Sequence, residues 1–191
     1  IWKKSGRPLV AILPGSRSQE LQKMLPKMMA VKKQFPQCDF VIAGVASLGR
    51  DFYQSYLKDS NIEVVFNQTY TLYNEADAAL VSSGTATLET ALFNVPQVVC
   101  YQTSWLSYKI AKLLVDVKYI SLVNLIANQE VVKELIQKDL TVSNMVSELT
   151  SILSVEGSAK MKQSYKDLTV LLGGVGASKR ISSAIISDLN Q

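Results

Sequence analysis

An apolar run, Ala78-Ala79-Leu80-Val81, passes into Ser82-Ser83-Gly84-Thr85, then Ala86-Thr87-Leu88-Glu89-Thr90-Ala91-Leu92, and on to Val95-Pro96-Gln97-Val98-Val99. A short hydrophobic strand, a small-residue turn, a helix and a second β-branched strand make one βαβ unit. In such units ligands sit at the turn that follows the first strand, so function is to be sought there first.

The same alternation runs through the first half of the chain. Leu9-Val10-Ala11-Ile12-Leu13 reads as a buried strand ended by Pro14-Gly15, with Ser16-Arg17-Ser18-Gln19-Glu20 opening a helix that Ser16 or Ser18 caps and Glu20 supports from its first turn. Leu21, Met24, Leu25, Met28 and Met29 recur at helical spacing as core positions, and Pro26 is expected to bend or reset the first turns. Strands follow at 40–44 and 62–66, with helices at 51–57 and 71–75. Repeated β-then-α order predicts an α/β fold, a Rossmann-like, doubly wound parallel sheet with helices on both faces.

After Tyr101 the pattern changes. An apolar helix with Lys109 and Lys112 is expected over 104–115, a strand or extended segment over 119–124, and then additional C-terminal helices near 130–137, 143–153, 159–172 and 178–189. Gly173-Gly174-Val175-Gly176 has the glycine content of a phosphate loop but follows no strand, so it reads as a helix-ending turn. The 191 residues suffice for one well-cored domain, 1–191, and no repeat or linker divides them. The chain opens Ile1-Trp2-Lys3-Lys4 without an initiator methionine, which reads as a fragment.

Composition excludes several chemistries. With 0 histidines there is no Ser-His-Asp triad, no Cys-His dyad and no histidine-ligated metal. Cys38 and Cys100 lack CxxC spacing and read as buried free thiols. No apolar run reaches the length of a membrane span. The net charge of +4 comes mainly from scattered lysines, and the arginines, Arg7, Arg17, Arg50 and Arg180, do not cluster. That balance suits anionic small molecules or lipid headgroups better than nucleic acid, which is not expected as a partner.

Two loops have the composition of an anion site at strand ends: Pro14-Gly15-Ser16-Arg17 and Ser82-Ser83-Gly84-Thr85. On the helix that follows the second loop, Thr85 and Glu89 are one turn apart on one side, while Leu88, Ala91 and Leu92 form the apolar stripe. Glu89 has two readings: a carboxylate accepting two hydrogen bonds from a ribose diol, or an acid complementing the helix dipole. Arg17 also has two, a diphosphate ligand or a surface arginine, and its place directly after Pro-Gly-Ser favours the first. Spacing alone leads to a nucleotide-type pocket in a Rossmann-like domain.

Leu13-Pro14-Gly15-Ser16-Arg17 with Glu20, then Ser83-Gly84-Thr85-Ala86-Thr87-Leu88-Glu89, then Tyr119-Ile120-Ser121-Leu122-Val123-Asn124-Leu125-Ile126-Ala127 resemble the lipid-A-disaccharide synthase family in three separated motifs, in the family's order. The resemblance implies the C-terminal, donor-binding half of a GT-B glycosyltransferase, with the N-terminal acceptor domain lying outside this chain. It implies transfer from UDP-2,3-diacylglucosamine to 2,3-diacylglucosamine 1-phosphate, forming a β-1,6 disaccharide and releasing UDP, at the cytoplasmic side of a Gram-negative inner membrane, as a peripheral enzyme. By motif it puts Arg17 at the diphosphate, Gly84, Thr85 and Ala86 around the phosphates, Glu89 on the ribose and Asn124 in the pocket that holds the UDP group, with Glu20 of the first motif also among the substrate-binding residues. Val123 stands where the family commonly has proline. The implied reaction is inverting and needs no cofactor, and its general base is an acidic residue of the other half, so this chain alone is expected to bind donor without turnover.

The expected helix containing Trp105, Tyr108, Lys109 and Lys112 has two readings, packing on the sheet or lying at a membrane surface. The helices after Gly176 likewise have two destinations, an N-terminal half or a second subunit of a homodimer. Other UDP-sugar enzymes of the same architecture, of the 2-epimerase or peptidoglycan glucosaminyltransferase type, are the rival enzyme readings. A non-catalytic nucleotide-sugar-binding module is the rival outside enzymes.

Overall fold

The computed structural model of the chain describes residues 5–58, 60–102, 118–173 and 176–189. Six strands, β1 (Leu9–Leu13), β2 (Asp39–Gly44), β3 (Glu63–Phe66), β4 (Ala78–Ser82), β5 (Gln97–Tyr101) and β6 (Lys133–Ile136), form one sheet in the order β3-β2-β1-β4-β5-β6. Every neighbouring pair is parallel. The chain moves outward from β1 through β2 to β3, then returns to the other side of β1 to lay down β4. That reversal opens a crevice beyond the carboxyl ends of β1 and β4, whose register runs from Val10↔Ala78 to Leu13↔Val81.

The helices are α1 (Ser18–Ala30), α2 (Gly49–Leu57), α3 (Thr69–Glu75), α4 (Thr85–Leu92), α5 (Leu122–Ala127), α6 (Val142–Leu153), α7 (Val155–Leu171) and α8 (Ala177–Leu189). Strand alternation decides which of them covers each face. Val10, Ile12, Phe40, Ile42, Leu80 and Val98 point to the side covered by Leu21, Met24, Leu25 and Met28 of α1, Tyr53 of α2, and Met145, Leu149 and Ile152 of α6. Leu9, Ala11, Leu13, Val41, Ala79 and Val81 point the other way, against Leu72 and Tyr73 of α3. Both faces of β1 and β4 are therefore buried, which is why those strands read as continuous apolar runs. The expected doubly wound α/β architecture is what the chain forms.

Several local expectations are corrected. Neither Ser16 nor Ser18 caps α1: the N-cap is Arg17, whose carbonyl accepts from Glu20 N and Leu21 N while its side chain caps nothing. α1 runs unbroken through Pro26, which sits on its exposed side, so that the backbone donor lost there is the main local cost. The 119–124 segment is extended only as far as Ser121, whose hydroxyl accepts from Asn124 N and starts α5. The helix expected at 130–137 is instead edge strand β6, paired with β5 from Val98↔Lys133 to Tyr101↔Ile136. Helical propensity in Glu-Val-Val-Lys-Glu-Leu yields there to the open edge of the sheet, a tertiary partner that periodicity does not reveal. α7 begins earlier than expected because the Ser154 hydroxyl accepts from Gly157 N at 3.0 Å.

Met24 and Met28 are core side chains as expected, Cys38 and Cys100 are buried free thiols, and Gly173, at φ 76°, ends α7. The expected helix at 104–115, with Trp105 and Lys109, lies outside the described residues. Among the described residues no helix is long and apolar enough to cross a membrane.

Candidate functional site

The two loops singled out in the sequence meet at the crevice. After β1 the chain turns at Gly15, with φ 113°, in the left-handed half of conformational space that glycine reaches without strain. A Cβ there would lie 2.8 Å from Glu20 Oε2 and 3.4 Å from Ser82 Oγ, so the absence of a side chain lets the first loop close against the end of β4. After β4 the chain turns at Gly84, where φ is 154° and ψ −162°. Among the described residues a Cβ here would meet nothing within 4 Å, so that conformation, not crowding, calls for glycine.

Gly84 is also the N-cap of α4. Its carbonyl accepts from Thr87 N at 3.2 Å and from Thr87 Oγ1 at 2.8 Å, which fixes the first turn. The preceding N–H groups, on Thr85 and Ala86, have no carbonyl partner within the helix and lie at its positive end. From behind, Gln97 Nε2 donates to the Thr87 carbonyl at 2.8 Å and lies 3.2 Å from the Tyr165 hydroxyl, anchoring α4 to β5 and α7. The N-terminal end of α4 is therefore held from behind while remaining exposed.

A cleft of about 230 Å³ lies at this junction. Gly15, Ser16 and Glu20 form one wall, Ser82 to Ala86 and Glu89 the other; Ala43 to Val45 at the end of β2, with Thr69 and Tyr73 of α3, complete it. The structure thus brings together five of the expected site residues: Glu20, Gly84, Thr85, Ala86 and Glu89. Glu89 is half-buried one turn inside α4.

Arg17 lies on the rim and is not part of the wall. Its side chain is 83% exposed, with Nη1 3.3 Å from Glu20 Oε1. Asn124 is elsewhere. It is fully buried: Oδ1 accepts from Val131 N at 2.8 Å and Val132 N at 2.9 Å, and Nδ2 donates to Val132 O and Glu134 Oε1, both at 2.8 Å. With its amide committed in this way it has nothing left for a ligand, and it acts as the pin between α5 and β6. Val123, next to it, lies in the first turn of α5, where a backbone N–H has no intrahelical acceptor, so the residue needs no proline to start the helix and its side chain packs in the core.

Sequence reasoning missed three contributors. Ser83 Oγ donates to the Ile120 carbonyl at 2.9 Å, fastening the second loop to the 120–121 segment. Glu134 receives Ile120 N and Ser121 N, both at 2.9 Å, and Ser121 Oγ at 2.7 Å, so one carboxylate organises that segment. Tyr73 forms part of the cleft wall with a buried hydroxyl. Ser83 stood inside a recognised motif, but nothing in the local pattern sets Glu134 or Tyr73 apart from other acidic or aromatic residues.

The profile of the lipid-A-disaccharide synthetase family matches residues 3–185. The chain belongs to that family. Over 190 residues it is 32% identical to the lipid-A-disaccharide synthase of Anaeromyxobacter dehalogenans strain 2CP-C, covering 95% of this chain and 50% of that protein. The chain spans about half the length of the curated relatives it matches. Among solved structures, the glycotransferase of kitacinnamycin superposes with a TM-score of 0.61 at 15% identity, covering 97% of this chain and 45% of that one. The S. aureus MnaA-UDP complex gives 0.61 at 15% identity, with 99% and 48% covered. At such identities the structural likeness bears on fold alone: this lipid-A-disaccharide synthetase family member has the Rossmann-like α/β sheet that makes up one half of the GT-B fold.

Proposed function

We propose that this chain is the donor-binding half of a glycosyltransferase that moves a diacylglucosamine from UDP-2,3-diacylglucosamine to 2,3-diacylglucosamine 1-phosphate, forming the β-1,6 disaccharide of lipid A and releasing UDP. The observation that carries the reading is the convergence of the β1 and β4 loops on the exposed N-terminus of α4, with Glu89 one turn inside it. Family membership and a neighbour whose structure is described as a UDP complex support the same ligand class.

In this reading the phosphates meet the Thr85 and Ala86 N–H groups and the Thr85 hydroxyl, with Gly84 leaving room for close approach. Arg17, on the rim, turns from Glu20 to the diphosphate. Glu89 accepts from the ribose hydroxyls. As the acceptor 6-hydroxyl attacks the anomeric carbon, negative charge grows on the departing UDP, and these fixed donors stabilise it where it develops. The acceptor sugar and the base that takes its proton belong to the other half of the protein, beyond this domain. The enzyme acts as a peripheral protein at the inner-membrane surface, where its acylated substrates reside.

Calorimetric titration of the product of the complete reading frame with UDP, UMP and Glu89→Ala tests this. UDP is expected to saturate and to bind more tightly than UMP, and Glu89→Ala to weaken UDP about tenfold, the loss of hydrogen bonds to a charged acceptor. Absence of saturable UDP binding at millimolar concentration overturns the reading.

A further inference from the structure

Tyr73 of α3 carries its phenol into the interior beside the cleft. Its ring packs between neighbours, with centroids 6.4 Å from Tyr70 and 5.2 Å from Phe93, and the residue is 1% exposed. Among the described residues the buried hydroxyl has no hydrogen-bond partner. A phenylalanine would fill the same volume without burying an unpaired polar atom, so the hydroxyl's partner is to be sought in another state of the site.

Two polar side chains stand near it, Thr90 and Glu89 of α4. Thr90 is fully buried and outside the cleft wall, its hydroxyl donating to the Ala86 carbonyl at 2.6 Å. Glu89, by contrast, is half-buried and shares the cleft wall with Tyr73. Burial pushes the Tyr73 phenol up to about 12, so it is protonated and able to donate throughout the neutral range. The hydroxyl is closed off from solvent, so a molecule entering the cleft reaches Glu89 and not the phenol oxygen.

We propose that Tyr73 is a positioning residue for Glu89: with a nucleotide in the cleft, its hydroxyl donates to one carboxylate oxygen and leaves the other to accept from the ribose. A carboxylate has acceptor capacity for both, and a half-buried glutamate loses side-chain freedom when it grips a ligand. A donor waiting beneath it offsets that loss at the moment of binding, while the hydroxyl gains the partner it lacks. The inference deepens the donor-site reading and rests on it.

Four proteins, wild type, Tyr73→Phe, Glu89→Ala and the double variant, are titrated with UDP by calorimetry, and each is melted without nucleotide. Tyr73→Phe is expected to weaken UDP about tenfold, the scale of one hydrogen bond to a charged acceptor. Its unliganded melting temperature stays level or rises, because an unpaired buried hydroxyl has been removed. On the Glu89→Ala background the same change has no further effect on affinity. Wild-type affinity in Tyr73→Phe, a full additional loss in the double variant, or a lower melting temperature with affinity intact each overturns the inference and leaves the donor site standing. Absence of UDP binding by the wild type removes the donor-site reading and this inference together.

Discussion

Asn124 Nδ2 donates to Glu134 Oε1 at 2.8 Å, and through that bond the first turn of α5 is locked to the edge strand β6. The same oxygen accepts from Ser121 N and Oγ, and Oε2 accepts from Ile120 N. The Ile120 carbonyl in turn receives Ser83 Oγ from the second site loop. A short chain of hydrogen bonds therefore runs from the sheet edge to the loop before α4.

Removing the Glu134 carboxylate orphans several donors at once. Glu134→Ala is expected to destabilise the fold by about 2–4 kcal/mol, since each unsatisfied, partly buried group costs on the order of 1–3 kcal/mol and solvent relieves part of it. In a chain of this size that is roughly a 5–15 °C fall in melting temperature. Glu134→Gln keeps one acceptor oxygen and is expected to lose less than half as much. Equal melting curves for wild type and Glu134→Ala would show that water replaces the carboxylate without cost.

How much of this was legible beforehand follows from the range of each interaction. β1, β4 and β5 announced themselves as apolar runs because both of their faces are buried, and the site loops followed from strand ends plus glycine and hydroxyl residues. The segment from Tyr119 to Ile136 was misread because its structure is set from outside. Ser121 is recognisable as a cap only once α5 starts at Leu122, and β6 exists because β5 offers an unpaired edge. Asn124 was expected in the pocket wall from its motif, yet its amide is spent on Glu134 of β6 and on Val131 and Val132 just before it, in a segment whose pattern reads as helix.

Gly84 gives a sharper test of the loop. Its φ of 154° and ψ of −162° form a combination that residues with a Cβ avoid, yet the added methyl would meet no atom of the described residues within 4 Å. Gly84→Ala is therefore expected to cost about 1–3 kcal/mol through backbone strain alone. If the loop relaxes to escape the strain, the Thr85 and Ala86 N–H groups move with it and UDP affinity falls by more than the stability loss explains. Denaturation midpoints and UDP titration on the same samples separate the two, and a variant that matches wild type in both would contradict the conformational argument.

Arg17 lies 3.3 Å from Glu20 with its side chain 83% exposed, so it contributes little to the fold. Arg17→Ala is expected to leave the melting temperature unchanged while weakening UDP several-fold. UMP, which lacks the second phosphate, should be affected less, and the effect on UDP should shrink as salt is raised. Equal losses for UDP and UMP would move Arg17 away from the terminal phosphate.

Burial raises the acid groups Cys38, Tyr53, Tyr73, Cys100 and Tyr165 above their ordinary values, 9.0 for the thiols and 10.0 for the phenols. In the unfolded chain these groups shed protons from about pH 9 upward, while in the folded chain they keep them, so the folded state binds more protons and its stability falls as pH rises. Their contribution is complete below the unfolded values and is lost as pH climbs toward the folded ones, about 12 in the case of Tyr73. Lys133, raised by its hydrogen bond and attraction to Glu130, adds to the same trend, and Lys32, lowered mainly by burial, runs the other way as one group against six. Melting temperature is accordingly expected to hold level between pH 7 and about 8.5, then to drop steadily. Cys100, fully enclosed, should resist thiol reagents over the level range and react only at the rate of unfolding. A melting temperature that stays level to pH 11, or rapid labelling of Cys100 in the native protein at pH 8, would mean that the sheet core admits solvent far more readily than its packing implies.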